Sequence, residues 1–450
     1  MREERRVVIT GMGAITPSGN DVDSLWDSVV AGRSAIGRLE DEQFADLAVR
    51  IGGQVTDFDA EALLPRALAR RLSPVQHWAI SAAEQALAQA GIPTPTAEPK
   101  AGAGANSDVG GSEDLPWDRS RVAVIAATGS GPVDAMQAAT RSLLEGGPRS
   151  VPLGLAIHGA PDSAAALLSQ RFDFRGPGQG VSATCASGAI GLGEGMRRIR
   201  HGYADAVLVV GMEDCLNPVN LASNANMRAL AAGYEDDPTS ASRPFDRSRS
   251  GFVMSQGAAA ILLESEAGAA ARSATVCAEL AGFGAASDAH HPTNPHPEGR
   301  GAASAVSEAL ADAGLVPGDI DHINAHATGT PAGDAAELAA FDASLGSVAH
   351  KIPISATKSS TGHLLGASGV VEAILTIRTL AHQTLPPTLN LGNSEFDGWD
   401  IVTGQARAVA REGVGRPLDT VLSTSFGFGG HNGAIVLRRP RALNPASKET

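Results

Sequence analysis

Val122-Ala123-Val124-Ile125-Ala126-Ala127 is a run of apolar residues with no polar alternate. A strand with one face in water alternates apolar and polar side chains. A continuous run therefore predicts a strand covered on both faces, as in a parallel sheet between layers of helices. The theme recurs: Val7 to Thr10, Ala206 to Val210, Ala258 to Leu263, Val276 to Gly282, Ile320 to Asn324, Ile352 to Ala356, Thr420 to Thr424 and Gly433 to Leu437 read as strands. Helical spacing covers about Val22 to Ala31, Pro65 to Ala90, Val133 to Glu145, Asp162 to Gln170, Ala302 to Ala313, Asp334 to Ser344 and Gly366 to Leu380. Apolar strands alternating with amphipathic helices predict a layered α/β fold.

At 450 residues the chain exceeds the size at which one core keeps growing, and its halves resemble each other. Val181-Ser182-Ala183-Thr184-Cys185-Ala186-Ser187-Gly188 lines up with Ile354-Ser355-Ala356-Thr357-Lys358-Ser359-Ser360-Thr361, each ahead of a long helix. The strand before Thr128 likewise matches the one before His326. These repeats predict an internal duplication with an N-terminal half over 1–256, a C-terminal half over 257–442 and a tail over 443–450. Residues 94–119, dominated by Pro, Gly, Ala, Ser, Asn and acidic side chains, read as a mobile surface insertion.

A net charge of −14 argues against broad nucleic-acid affinity, which needs a basic face. No apolar run approaches the length of a membrane span, and Arg-Glu-Glu-Arg-Arg after Met1 passes directly into a strand without the apolar core of a signal peptide. Cys185, Cys215 and Cys277 form no CxxC pair, which suits a reducing compartment; a soluble cytoplasmic protein is the expectation. Gly11-Met12-Gly13-Ala14 reads as a loop, and its GxG lacks the third glycine of a dinucleotide fingerprint, Thr16 standing there.

Three polar groups stand where strands end. Leu192, Met196 and Ile199 continue an apolar stripe after Ile190, so a helix is predicted to begin near Cys185. A thiol at a helix N-terminus is biased toward thiolate, as a nucleophile requires, although a free Cys among small residues is also an ordinary core residue. The second segment is Asn324-Ala325-His326-Ala327-Thr328-Gly329-Thr330-Pro331-Ala332-Gly333-Asp334, and the third is Ser355-Ala356-Thr357-Lys358-Ser359-Ser360-Thr361-Gly362-His363. A fourth, Ser425-Phe426-Gly427-Phe428-Gly429-Gly430-His431-Asn432-Gly433, is a glycine-rich turn whose N–H groups can face an oxyanion. His290, His291 and His296 cluster without the spacing of a metal site and read as a loop near the site entrance.

In this order the four segments resemble the thiolase-superfamily condensing enzymes, most closely the elongating β-ketoacyl-acyl carrier protein synthases of the second type. Ala241-Ser242-Arg243-Pro244-Phe245-Asp246 and Gly251-Phe252-Val253 are also typical of that family. The resemblance implies a thiolase-like fold whose two halves form α-β-α-β-α layers, and a decarboxylative condensation of malonyl-acyl carrier protein with an acyl group on Cys185. It implies that His326 and His363 stabilise the enolate, that Lys358 organises the site electrostatically, and that the N–H groups of Cys185 and Phe428 form an oxyanion hole gated by Phe428. Thr328, Thr330 and Phe426 match positions that contact the phosphopantetheine arm. No organic cofactor is required, because decarboxylation supplies the carbanion. Asn324 and Glu372 match two of four positions that hold a monovalent cation in family members, with Ser423 and Thr424 where two Asn would stand. Ala327, Ser250 and Gln256 replace a Gly, an Asp and an acidic residue. The family further implies a homodimer, for which the apolar strand Val122 to Ala127 is the predicted central contact. An acidic carrier needs a local basic patch on an acidic enzyme, and Arg66, Arg70 and Arg71 at the head of a helix offer one. A ketosynthase of a dissociated polyketide pathway and a non-catalytic partner subunit are the competing readings; the second is expected to lack the nucleophilic Cys.

Overall fold

The computed structural model describes residues 5–63, 66–70, 72–94, 115–409 and 416–441. The main sheet contains β1 (Val7–Ile15), β2 (Val122–Ala127), β3 (Gly178–Val181), β4 (Ala206–Glu213), β5 (Gly257–Ser265), β6 (Ala278–Ser287), β7 (His322–Asn324), β8 (Ile354–Ser355), β9 (Thr420–Gly427) and β10 (His431–Arg438). The helices that frame the site are α1 (Pro74–Gln89), α2 (Val133–Gly146), α3 (Ser163–Phe172), α4 (Ser187–Arg200), α5 (Arg300–Asp312), α6 (Pro331–Leu345) and α7 (Ser368–His382).

Strand order is β8-β7-β9-β10-β6-β1-β5-β4-β2-β3. The order is a duplication in space. β2 pairs in parallel with β3 and β4, as β7 does with β8 and β9, and antiparallel partners complete each half. The halves meet where Val8 and Ile9 face Glu279 and Ala278. Burial then follows from the apolar runs. Ala123 and Ile125 of β2 face the central helices α4 and α7, through Leu192, Met196, Val370 and Ile374, while Val122, Val124 and Ala126 face α1 and α3. On the far side Ile323, Leu422 and Val436 pack on α5 and α6. The layers are therefore helix, sheet, helix, sheet, helix, the predicted architecture.

Several sequence expectations change. Gly11 to Ala14 is not a loop, because β1 runs on to Ile15; a Cβ at Gly11 or Gly13 would lie 1.9 or 2.0 Å from a carbonyl oxygen of α1. These glycines admit a helix, not a nucleotide. The helix read over Pro65 to Ala90 is two elements: Arg66–Ala69, then α1, restarted by Pro74 at its first position, with Gln76 Oε1 accepting the Ser73 N–H at 3.1 Å. Most of the 94–119 insertion lies outside the described residues, but Trp117 at its end is buried against α1 and α3 rather than on the surface. β5, read as opening the second half at residue 257, sits between β1 and β4 with the first half's strands.

Two differences bear on function. β2 cannot be a contact between subunits, because β3 and β4 occupy both its edges; the open edge belongs to β3. Its Gly-Gln-Gly-Val sequence hides it from a reading based on apolar runs. The repeat is also out of register with the sequence alignment. Thr184–Ala186 forms a tight turn leading into α4, and the equivalent turn into α7 is Leu365–Ala367. Thr184 and Leu365 both adopt the left-handed region, at φ 50° and 43°. The structural counterpart of Cys185 is thus Gly366, not Lys358, and Lys358 and His363 lie on a segment inserted between β8 and the second turn.

Candidate active site

The strained turn at Thr184 projects Cys185 at the mouth of α4, where it is buried. Thr184 donates its hydroxyl to the Phe428 carbonyl at 2.8 Å, and a Cβ on Gly427 would lie 2.1 Å from that hydroxyl oxygen. The turn after β9 therefore closes over the thiol only because Gly427 has no side chain. Cys185 Sγ and one ring nitrogen each of His326 and His363 all lie within 4.8 Å of one another.

Each histidine is fixed through its backbone. The N–H of His326 donates to Glu337 Oε1 at 2.8 Å and to Thr424 Oγ1 at 3.1 Å; Ala327 N–H donates to Glu337 Oε2 at 2.7 Å. His363 is pinned on both sides, its N–H donating to Val253 and its carbonyl accepting from Ser255 at 2.8 and 2.9 Å. Phe252 packs edge-on against the His363 ring at 5.5 Å, and the two imidazole centroids are 5.3 Å apart. This gives the Gly251-Phe252-Val253 segment a structural reason. His363 Nδ1 is 2.9 Å from Ser368 Oγ, whereas His363 Nε2 is buried with no partner. With Ser368 donating to Nδ1, the proton sits on Nε2, a tautomer inferred from this contact.

Burial sets the electrostatics. It pushes both imidazoles well below their usual value, helped by the Lys358 ammonium, so both are neutral hydrogen-bond donors. It also pushes the Cys185 thiol up to about 12, against Lys358 and the backbone N–H groups of Phe428 and Cys185, which pull it down. The expectation of a thiolate at a helix N-terminus fails for this reason: Cys185 stands on the turn before α4, where desolvation outweighs the dipole. Lys358 is itself buried and paired with Glu372. It acts on the thiol through its field rather than by contact.

Cys185, His326 and His363 line a cavity of about 300 Å³ with Thr328, Thr330, Phe426 and Phe428. Thr328 and Thr330 hydroxyls are 3.2 Å apart, and Asp334 braces the turn between them by accepting the Gly329 N–H at 3.1 Å. Thr293, Asn294 and Pro295 of the histidine-bearing loop, and Ser250, also line it. With its amide oriented to satisfy both of its neighbours, Gln256 donates to Asp214 Oδ1 at 3.2 Å, a contact that an ionised acid at 256 could not make. Asn324 Oδ1 and Glu372 Oε2 are buried without partners, the donor chemistry of a cation site. Yet Lys358 already meets the charge of Glu372, and Thr424 donates its hydroxyl to Glu337 at 2.7 Å, so the residues present do not complete the four-ligand set. Arg66 and Arg70 are exposed and lie outside this cavity, each near Glu61 at 3.4 and 4.0 Å; Arg71 lies outside the described residues. Glu337 escaped the sequence reading, since a lone Glu on a helix reads as solvated; its place on α6, three residues after Asp334, was the available signal.

Residues 4–269 match the family model described as the β-ketoacyl synthase N-terminal domain, and 277–392 match its C-terminal domain. The chain belongs to the β-ketoacyl synthase family. It is a condensing acyltransferase of thiolase-like fold. Proteins named 3-oxoacyl-[acyl-carrier-protein] synthase 2 from Synechocystis sp. and Vibrio cholerae are 38% and 36% identical over 97% of this chain and 99% of theirs. The one from Staphylococcus aureus is 33% identical over 98% and 99%. A β-ketoacyl synthase from Burkholderia phymatum superposes with a TM-score of 0.82 at 33% identity, covering 97% of this chain and 100% of that one. A type II polyketide ketosynthase, solved in complex with its acyl-carrier protein, superposes at 0.84 with 28% identity, covering 98% and 100%.

A thiol held near 12 predicts that alkylation of Cys185 by iodoacetamide rises about tenfold per pH unit through pH 9 without a plateau. Lys358→Met removes the cation that pulls the thiol down, so alkylation at pH 8 is expected to slow about tenfold. Peptide mass spectrometry reads both; a plateau near pH 7 would show that burial does not govern the thiol.

Proposed function

We propose that this β-ketoacyl synthase elongates acyl chains in fatty-acid synthesis, joining an acyl group on Cys185 to malonyl-acyl carrier protein by decarboxylative Claisen condensation. The supporting observation is the meeting of Cys185 Sγ with the His326 and His363 nitrogens within 4.8 Å. Cys185 attacks the carrier thioester; the N–H groups of Cys185 and Phe428 hold the tetrahedral oxyanion, and the carrier's sulfur leaves with the thiol proton. Malonyl thioester then enters along Thr328, Thr330 and Phe426, and its thioester carbonyl accepts hydrogen bonds from His326 and His363. Loss of carbon dioxide leaves an enolate held by these donors, whose neutrality lets them stabilise charge without protonating the nascent carbanion. The carbanion attacks acyl-Cys185, a carbon–carbon bond forms, and the Cys185 sulfur is expelled as a thiolate that takes up a proton from water to restore the thiol. Decarboxylation drives the step, and no cofactor is needed.

A polyketide ketosynthase runs the same chemistry. Curated relatives at 33 to 38% identity, against 28% for the polyketide ketosynthase, favour fatty-acid elongation. Cys185 disfavours a non-catalytic partner subunit. No helix among the described residues is long and apolar enough to cross a membrane, which accords with a cytoplasmic enzyme.

Three outcomes test this reading. Cys185→Ala is expected to abolish acyl loading while retaining some malonyl decarboxylation, and His363→Ala to lose decarboxylation while Cys185 still loads. Carbon dioxide release and intact mass measure the two, and the reverse pattern refutes the division of roles. The protein is expected to form a homodimer through the open edge of β3 and the apolar side chains Met136, Leu143 and Leu144 on α2, which are exposed in the single chain. Light scattering that reports a monomer at micromolar concentration would exclude it. Arg66 and Arg70, whose surface pairing with Glu61 holds them only weakly, are assigned to the acidic carrier, together with Arg71. Reversing Arg66 and Arg70 to Glu is expected to cut use of carrier-bound substrate about tenfold and flatten its salt dependence, leaving a short pantetheine thioester unaffected. Equal losses on both substrates would refute the assignment.

A further inference from the structure

Glu213 ends β4, is fully buried, and takes no part in the steps above. Its Oε2 accepts the backbone N–H groups of Gly129 at 2.6 Å and Gly366 at 2.9 Å. Its Oε1 accepts the N–H and hydroxyl of Ser130 at 3.1 and 2.7 Å and the hydroxyl of Thr128 at 3.2 Å. Burial raises this carboxyl above its usual range, and the donors of Ser130, Gly129 and Gly366 pull it back down.

The partners are informative because Gly366 is the counterpart of Cys185 in the duplicated fold. Each follows a residue in the left-handed region and opens a turn into a central helix. The first turn directs its N–H groups toward the thiol and its substrate. The N–H of the second is occupied permanently by Glu213. Through the same carboxylate, the second turn is tied to the loop Thr128–Ser130, on which the Cys185 turn rests: Ser187 Oγ lies 3.1 Å from the Thr128 carbonyl and 2.6 Å from that of Thr184, and accepts the Ala183 N–H at 2.8 Å. Gly366 comes three residues after His363.

We propose that Glu213 is a positioning residue, a built-in acceptor that clasps the two turns and fixes the separation of Cys185 from His363. The inference rests on the roles given to Cys185 and His363 under the proposed function. Loading needs only the first turn and decarboxylation only the imidazoles, whereas condensation needs the acyl carbonyl and the enolate within bonding distance, and a displacement of about 1 Å costs on the order of a hundredfold.

The test is Glu213→Gln, which keeps the shape but sets an amide N–H₂ against the Ser130 N–H. Condensation is expected to fall about 30- to 100-fold, with Cys185 loading and malonyl decarboxylation each within about threefold of the native enzyme. Proportional loss of all three would show a merely structural role and overturn the proposal, as would condensation within threefold of native. If Glu213→Gln does not fold, Ser130→Ala decides: it removes one donor from the clasp and is expected to lower condensation severalfold with both half-reactions intact, and equal loss or no loss overturns the proposal. A native enzyme that loads and decarboxylates but never condenses would instead count against the proposed function, so the two failures are distinguishable.

Discussion

Backbone contact between the two central helices governs the geometry of this enzyme. A Cβ on Gly188 would lie 2.8 Å from the Val370 nitrogen, one on Gly369 would lie 2.5 Å from the Ala189 nitrogen, and one on Gly366 would lie 2.2 Å from the Gly129 nitrogen. All three contacts are main chain to main chain, so no rotamer change can relieve a methyl there. The helices α4 and α7 meet as closely as helices can, and the turns that begin them meet with them. Because Cys185 opens one turn and His363 precedes the other, the distance between sulfur and imidazole is inherited from this crossing. Close-packed layers on both sides prevent the helices from sliding apart.

The crossing also explains the electrostatics. A contact this close excludes water, and without water the neutral forms of Cys185, His326 and His363 are favoured. The charges that remain are those with partners: Lys358 with Glu372, and Glu337 among the N–H groups of His326 and Ala327 and the hydroxyl of Thr424. The resting site is therefore a thiol and two hydrogen-bond donors in the field of one paired cation. In the proposed reaction negative charge forms only when an acyl carbonyl or a malonyl carboxylate brings it, with donors assigned to both positions. A thiolate stabilised in the free enzyme would be less nucleophilic per ion but far more abundant, and so a better target for alkylation.

Much of this was legible in the chain. The run Val122 to Ala127 gave the layered class, and the order of Cys185, His326, Lys358, His363 and the Phe426 to Gly430 turn carried the resemblance to condensing enzymes that implied the chemistry. What stayed hidden has physical causes. β3 is Gly-Gln-Gly-Val and owes its existence to its neighbour β2 rather than to its own propensity, so the true sheet edge was missed. Glu213 and Glu337 are buried carboxylates whose partners are backbone N–H groups, which sequence cannot display. Trp117 was lost in a stretch whose composition spoke for disorder. The thiol's protonation depended on depth of burial, which a helix-start pattern does not encode.

The misaligned repeat carries the last step. Aligning Cys185 with Lys358 follows similar letters, Ser-Ala-Thr before each, but the φ values align Cys185 with Gly366. Two copies of one turn, each with inward N–H groups, would present two anion sites a few ångströms apart at the same helix crossing. Only one can serve a substrate. The halves differ in two ways that belong together: a segment between β8 and the second turn carries Lys358 and His363, and a carboxyl at the end of β4 in the first half accepts the N–H of the second turn. Glycine at 366 admits the Thr128–Gly129 backbone against that turn, while the carboxyl of Glu213 keeps its donor satisfied where water cannot reach. The asymmetry of the chemistry, one nucleophile facing one pair of donors, follows from filling one of two equivalent sites with the protein's own carboxyl.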